Sequence, residues 1–421
     1  VRVSTPPADG GPSADVLRGQ AARCRRILES SIVAFYLPAC VDRAHGGYLE
    51  SLRRKRFVPT GEKFVVLQGR QLWFFSTLVA EGIERDAALA AARSGFDFLE
   101  ASFRDRLHGG YFAKVSDAGE PTDTRKHVYL NAFALYGLVA YHRATGDATA
   151  LAGARELFET METRCHDSAN GGYAQLFHRD WRPVTDPRVP SVVGRPFPRT
   201  FNTHLHVLEA LSDLYRAWPD GLVRRRLDEL LGILTTSVRL PQYGCNVDGF
   251  TADWQPVATR ENLRASYGHD LEGIWLCLEA ARALGCSPAL LRSWAESVAG
   301  YSLRYGYDRE RGGFYYTGPL GEDADDTKKE WWVQAEALVS MLELFALTGK
   351  PEYYDAFART LDFVDEHQVA QEGGWWATRK ADGSRAGKSR TSMWQGAYHS
   401  GRSMLLCARW LETFAEGASR E

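Results

Sequence analysis

At 421 residues, with 44% hydrophobic and 25% charged positions, the chain has ordinary globular composition and the length to bury a large core. Its 51 Lys and Arg balance 53 Asp and Glu, which excludes the charge excess expected of a nucleic-acid partner or an anionic membrane surface. No apolar run approaches the roughly 20 residues of a membrane span.

The opening stretch, rich in Pro, Gly and Ser and lacking an apolar segment, reads as a disordered tail over 1–14 rather than a signal peptide. A single domain is expected over 15–415, followed by a short tail over 416–421. Seven cysteines with no C-x-x-C pair predict free thiols and a cytoplasmic location. Twelve Trp and eighteen Tyr suit large helical cores, and also surfaces on which sugars stack.

Along the chain a doublet followed by an aromatic residue recurs six times: Gly46-Gly47-Tyr48, Gly109-Gly110-Tyr111, Gly171-Gly172-Tyr173, Asp248-Gly249-Phe250, Gly312-Gly313-Phe314 and Gly373-Gly374-Trp375. The second glycines lie 63, 62, 77, 64 and 61 residues apart, so one supersecondary unit is repeated. Before each doublet an amphipathic pattern predicts an exposed helix, over 21–40, 87–105, 150–166, 221–240, 288–307 and 351–369. Pro288 after Ser287, and Pro351, suit helix starts. After each doublet, an alternating stretch predicts a small β-hairpin. Next comes a segment apolar on all sides, such as 131–144, 204–218, 268–284 and 331–347, which predicts a helix covered all round. Six exposed helices alternating with six buried ones predict an all-α (α/α)6 barrel with short hairpin loops at one end. The third loop carries a Pro-rich stretch over 183–198, either a lid or a surface excursion.

The candidate chemistry collects at the starts of the buried helices: Arg70; Tyr129 and Asn131; Asn202, His204 and His206; His269 and Glu272; Trp331, Trp332 and Glu336; Trp394, His399 and Arg402. A closed ring brings these starts to one cavity mouth, and convergent polar groups in a concave pocket are the default active site. His269 and Glu272 are i,i+3, so the carboxylate is expected to orient the imidazole; His206 with Glu209, and His399 with Arg402, share that spacing. Trp332 and Glu336 are i,i+4, which favours Trp332 as the inward indole. His204 and His206 stand about 200° apart on a helix and cannot readily grip one metal. Facing histidines without a metal or nucleotide motif suit proton abstraction beside a carbonyl, with an Arg to stabilise the oxyanion. A glycoside hydrolase would instead need paired carboxylic acids.

The segments Asn202-Thr-His-Leu-His206-Val-Leu-Glu-Ala, Ser266-Tyr-Gly-His269-Asp-Leu-Glu272, Lys329-Glu-Trp-Trp332-Val-Gln-Ala-Glu336-Ala and Trp394-x-x-x-Tyr398-His399-x-x-Arg402 resemble the N-acylglucosamine 2-epimerase superfamily, in its cellobiose and mannose 2-epimerase branch. The resemblance spans about residues 15–415. It implies an (α/α)6 barrel and cofactor-free, metal-independent epimerisation at the reducing end of an unphosphorylated sugar, in a monomer or homodimer. It further implies that His399 takes the C2 proton and that His269, held by Glu272, returns it to the opposite face and assists ring opening. Arg70, Asn202 and His206 would hold the C1 and C2 oxygens. Tyr129, Trp332 and Trp394 would line the sugar, with Glu336 and Arg402 also facing it. Gln395-Gly396-Ala397 departs from the Lys-Pro common near that last motif, which bears on substrate choice. An aldose–ketose isomerase of the same superfamily begins with the same proton abstraction.

Overall fold

The computed structural model describes residues 11–186 and 188–418. The segments expected to be apolar all round form six helices: Val65–Glu81, Val128–Thr145, Phe201–Ala217, Tyr267–Ala283, Trp331–Thr348 and Tyr398–Ala418. Each packs on the next, and the last returns to the first, so they form a closed inner ring. The amphipathic segments form an outer layer: Ala14–Arg26 with its continuation to residue 36, Arg85–Phe98, Ala148–Arg164, Gly221–Gly232, Arg292–Tyr305 and Pro351–Phe363. The first outer helix lies against the last inner one, where Arg25 meets Glu412 at 2.5 Å. This is an (α/α)6 barrel. No helix among the described residues is long and apolar enough to cross a membrane.

What holds one repeat to its glycine turn is a side chain near the start of each inner helix. Gln68 accepts from the Tyr48 N–H at 2.8 Å, Asn131 from Tyr111 at 2.9 Å, His204 Nε2 from Tyr173 at 2.9 Å and Gln334 from Phe314 at 2.8 Å. In the sixth repeat Gln395 donates to the Trp375 carbonyl at 2.9 Å. A buried N–H or carbonyl left without such a partner would cost about 1–3 kcal/mol. Buried cations reinforce the same turns: Lys63 reaches Asp42 at 2.7 Å and Lys329 reaches Asp308 at 2.8 Å.

The fourth repeat corrects the sequence reading. Its equivalent position is occupied by Asp270, which accepts from the Asn246 N–H at 3.2 Å. The turn there is Gly244-Cys245-Asn246, with Gly244 at φ +81° like the first glycine of each other doublet. Gly249-Phe250 belongs instead to the following hairpin strand, paired with Arg199–Thr200. The 77-residue interval was therefore a misaligned copy.

Short antiparallel ribbons lace each of the first five repeats to its successor at the end where the inner helices begin, as where Lys126–His127 pairs with Leu176–Phe177; the first of them is three-stranded. In the 183–198 loop the Pro190 carbonyl accepts from Arg125 at 2.7 Å and the Phe197 carbonyl from Gln175 at 2.8 Å. Residues 1–10, 187 and 419–421 of the two expected tails and that loop lie outside the described residues. Helix already begins at Ala14, capped by Ser13, and the last helix runs to Ala418, past the expected tail boundary at 416.

Candidate active site

The ring brings Arg70, Tyr129, His206, Glu272, Glu336, His399 and Arg402 into one buried cluster, each at most 5% exposed. His269, Asn202, Trp332 and Trp394 are half-buried around it. Trp332 packs beside two imidazoles, with its ring centroid 4.8 Å from His269 and 6.1 Å from His399. Trp394 lies in the loop before the last helix, not on its first turn. Its carbonyl accepts from Arg70 at 3.1 Å, and the same guanidinium donates to the Tyr129 hydroxyl at 3.0 Å. Arg70 also lies 4.2 Å over the Phe133 ring. His127 caps its helix by accepting from the Tyr129 N–H, which fixes where that phenol stands.

Two of the three histidines are anchored by carboxylates. His399 Nδ1 donates to Glu336 at 2.6 Å, and His206 Nδ1 donates to Glu209 at 2.8 Å. A carboxylate at Nδ1 assigns the proton to that nitrogen and leaves Nε2 as the free lone pair. Glu336 is fixed in turn by the Trp275 indole at 2.8 Å. Arg402 lies at the centre, donating to Glu336 at 2.9 Å and Glu272 at 3.1 Å, and also to Glu209 and the Tyr398 hydroxyl. Its charge makes three converging carboxylates tolerable in the interior.

The electrostatics follow from this count. Burial pushes His399 well below its ordinary range, and the nearby Arg70 and Arg402 add to the effect. Burial brings His269 down to about 3, helped by His206. Burial also lowers His206, against the opposing pull of Glu209. The resting imidazoles are therefore neutral near pH 7. Burial raises Glu272 well above the usual carboxylate range, and its neighbour Glu336 adds to the rise. Burial works to raise Glu209 too, but Arg402 and His206 outweigh it and keep Glu209 ionised.

The expected pairing of His269 with Glu272 does not form. Glu272 turns to Arg402, with its two oxygens 3.9 Å from His399 Nδ1 and from His206 Nε2. Likewise Arg402 and His399 share a helix face, but the guanidinium serves the carboxylates. Asn131 and His204 hold glycine turns and do not reach the site. Asn202 keeps a buried Oδ1 without a partner, while its N–H donates to Asp248 at 3.1 Å. Glu209 and Asp248 are additions that the sequence reading did not place in the site. Asp248, lifted to about 6 by burial, helps line an opening of about 440 Å³ beside His269, with Phe197 of the third loop on its wall. The spacing His206–Glu209 carried the signal for the first; nothing in the sequence marks the second.

Oxygens of Glu272 and Glu336 and a nitrogen of His399 lie within 4.8 Å of one another, the spacing of a metal site. The Arg402 guanidinium already bridges both carboxylates, so a cation there would face a fixed positive charge.

Residues 47–401 match the family model described as N-acylglucosamine 2-epimerase (GlcNAc 2-epimerase). The chain belongs to the N-acylglucosamine 2-epimerase family. It is accordingly an isomerase of the carbohydrate epimerase class. Cellobiose 2-epimerase from Bacteroides fragilis is 31% identical, over 90% of this chain and 96% of that one. The structure of cellobiose 2-epimerase from Spirochaeta thermophila superposes with a TM-score of 0.85 at 32% identity, covering 95% of this chain and 98% of that one. A D-mannose isomerase structure shares the fold, with a TM-score of 0.78 at 20% identity, covering 96% and 100% of the two chains.

Proposed function

We propose that the protein is a sugar 2-epimerase that interconverts glucose- and mannose-configured reducing ends through a cis-enediolate. The observation that carries this reading is the carboxylate-anchored imidazole of His399, with a second imidazole, His269, packed against the same Trp332 ring. When the sugar ring opens, His269 takes the anomeric hydroxyl proton and the ring oxygen takes one from water. His399 Nε2 then removes the proton from C2, which is acidic because the C1 carbonyl accepts the electron pair. As His399 becomes charged, Glu336 stabilises the imidazolium through the hydrogen bond already in place. Arg70 supplies positive charge for the enediolate oxygens, and His206 and Asn202 hold them.

After rotation about C2–C3, His269 delivers its proton to the opposite face of C2. Burial has weakened this imidazole as a base, so it gives the proton up readily. On ring closure His399 returns its proton to O1, and the ring oxygen releases one to water. Trp332 and Tyr129 wall the sugar. Glu209, Glu272 and Glu336 are committed to Arg402 and the histidines, and Asp248 accepts from the Asn202 N–H, so no free pair of acids is set aside for a glycosidic bond as hydrolysis requires.

The test is incubation with glucose, mannose, cellobiose, lactose and N-acetylglucosamine in heavy water, with products read by NMR. An epimerised aldose carrying deuterium at C2 is expected from at least one of them. A ketose as the main product, or free glucose from cellobiose, would refute the reading.

A further inference from the structure

The barrel is hollow at its other end as well. A cavity of about 600 Å³ opens where the inner helices finish, and its roof is the back of the catalytic cluster: Glu209, Arg402 and Trp275 line it from within. It is larger than the opening beside His269, yet none of the three site histidines lines it. One wall is Trp73 stacked on Tyr136, with ring centroids 5.4 Å apart and planes 14° apart. The collar is a ladder of paired charges. Arg216 donates to Asp213 at 3.1 Å and Glu279 at 3.0 Å, Arg282 reaches Glu279 at 2.5 Å, and Arg409 reaches Glu81 at 2.5 Å.

Two buried polar atoms of residues lining this space have no partner: Ser76 Oγ and Arg402 Nε. Buried polar groups are normally paired, and leaving one unpaired costs about 1–3 kcal/mol. Both atoms lie just behind the cavity surface, and a ligand hydroxyl, which both donates and accepts, satisfies either once the side chains beside it shift on binding. The collar arginines already hold carboxylates, so an anion would have to displace them. Fixed donors and acceptors beside an aromatic wall instead match a neutral polyhydroxylated molecule.

We propose that this rear cavity is a second binding site, for a neutral sugar or polyol of mono- or disaccharide size, and that its occupancy is coupled to catalysis through Glu209 and Arg402. Those two side chains hold His206 on one side and roof the rear cavity on the other. A bound hydroxyl at Arg402 Nε changes how its guanidinium is shared among the three carboxylates. That shifts the anchors of His206 and His399 together.

The experiment uses methyl β-D-glucopyranoside, which has no free anomeric centre and is not turned over. Equilibrium dialysis is expected to find two sites on the wild-type chain and one on Ala80→Trp, which plugs the exposed rear mouth. Thr77→Trp is the second blocking variant, should the first fold poorly. Without the glycoside, and with substrate dilute enough to leave the rear site empty, both blocked variants keep the wild-type rate. With it, the wild-type rate changes at least twofold relative to the blocked variants, because competition at the front site is common to all three. One site in wild type and variants alike, meaning binding at the front only, would overturn the proposal. So would equal modulation in all three. Because stoichiometry is read without turnover, this result stands apart from the reaction assigned above.

Discussion

Replacing Glu336 by Gln keeps the shape of the side chain and one carbonyl acceptor for His399, but removes the charge that meets the forming imidazolium. At a charge separation of about 4 Å and an effective dielectric constant near 20, the lost attraction is about 4 kcal/mol. The pair is buried, with a His399–Glu336 contact of 2.6 Å, so solvent screens little of this. The interaction is strongest once His399 carries the proton, so the loss falls on the transition state rather than on substrate binding. At 1.36 kcal/mol per decade, kcat should fall about a thousandfold with KM nearly unchanged. Initial epimerisation rates by NMR, with C2 deuterium exchange as a parallel readout, measure both. Thermal unfolding checks that Arg402, still held by Glu209 and Glu272, keeps the core intact. A well-folded Glu336→Gln enzyme with kcat within tenfold of wild type would refute the assignment of Glu336 as the anchor of the base.

His269→Asn should abolish net epimerisation, with slow C2 exchange in heavy water left in one epimer through the small share of sugar that opens its ring unaided; wild-type net epimerisation in this variant would refute the role given to His269. Gln68→Ala, which strips the partner from the Tyr48 N–H, should cost about 1–3 kcal/mol in denaturant unfolding with kcat unaltered. An unchanged unfolding midpoint would contradict the role given to the repeated clamp. His204 has its basicity pulled down to about 3 by burial, so in the folded protein it stays neutral while the unfolded chain binds a proton below about 6.5. Its stabilising contribution is whole above that value and is lost as pH falls from 6.5 toward 3. His204→Gln, the solution used by two other repeats, should therefore flatten the stability slope in that window by about 1.4 kcal/mol per pH unit. An unaltered slope would mean that His204 already titrates normally.

The barrel was legible because its cause is local. Segments with apolar residues on every side have nowhere to go but between two layers, and the glycine turns set the period. The cluster was legible for the same reason, since the phase of each inner helix fixed which residues faced the axis. Directions within the cluster were not. The i,i+3 spacing of His269 and Glu272 says that they share a face, but not that a guanidinium 130 residues further on outbids the imidazole for that carboxylate. The fourth turn was misplaced because Gly244-Cys245-Asn246 keeps only the first of the two left-handed glycines and has no aromatic residue after them. The clamp that would have located it, a polar residue near each inner-helix start, varies among Gln, Asn, His and Asp. Only hydrogen-bond geometry shows these to be equivalent.

The first outer helix seals against the last inner helix, from the other end of the sequence, and its Arg23 also reaches Asp365, just beyond the sixth outer helix, at 2.6 Å. Five hairpins can stack in order as neighbours, but the sixth must find a surface made several hundred residues earlier. Closure across so long a span is entropically late. His399 rides on the segment that closes last, so a partly assembled barrel lacks the imidazole proposed as proton acceptor. Competence for turnover should appear only when the seam locks, after most of the helical signal has already developed.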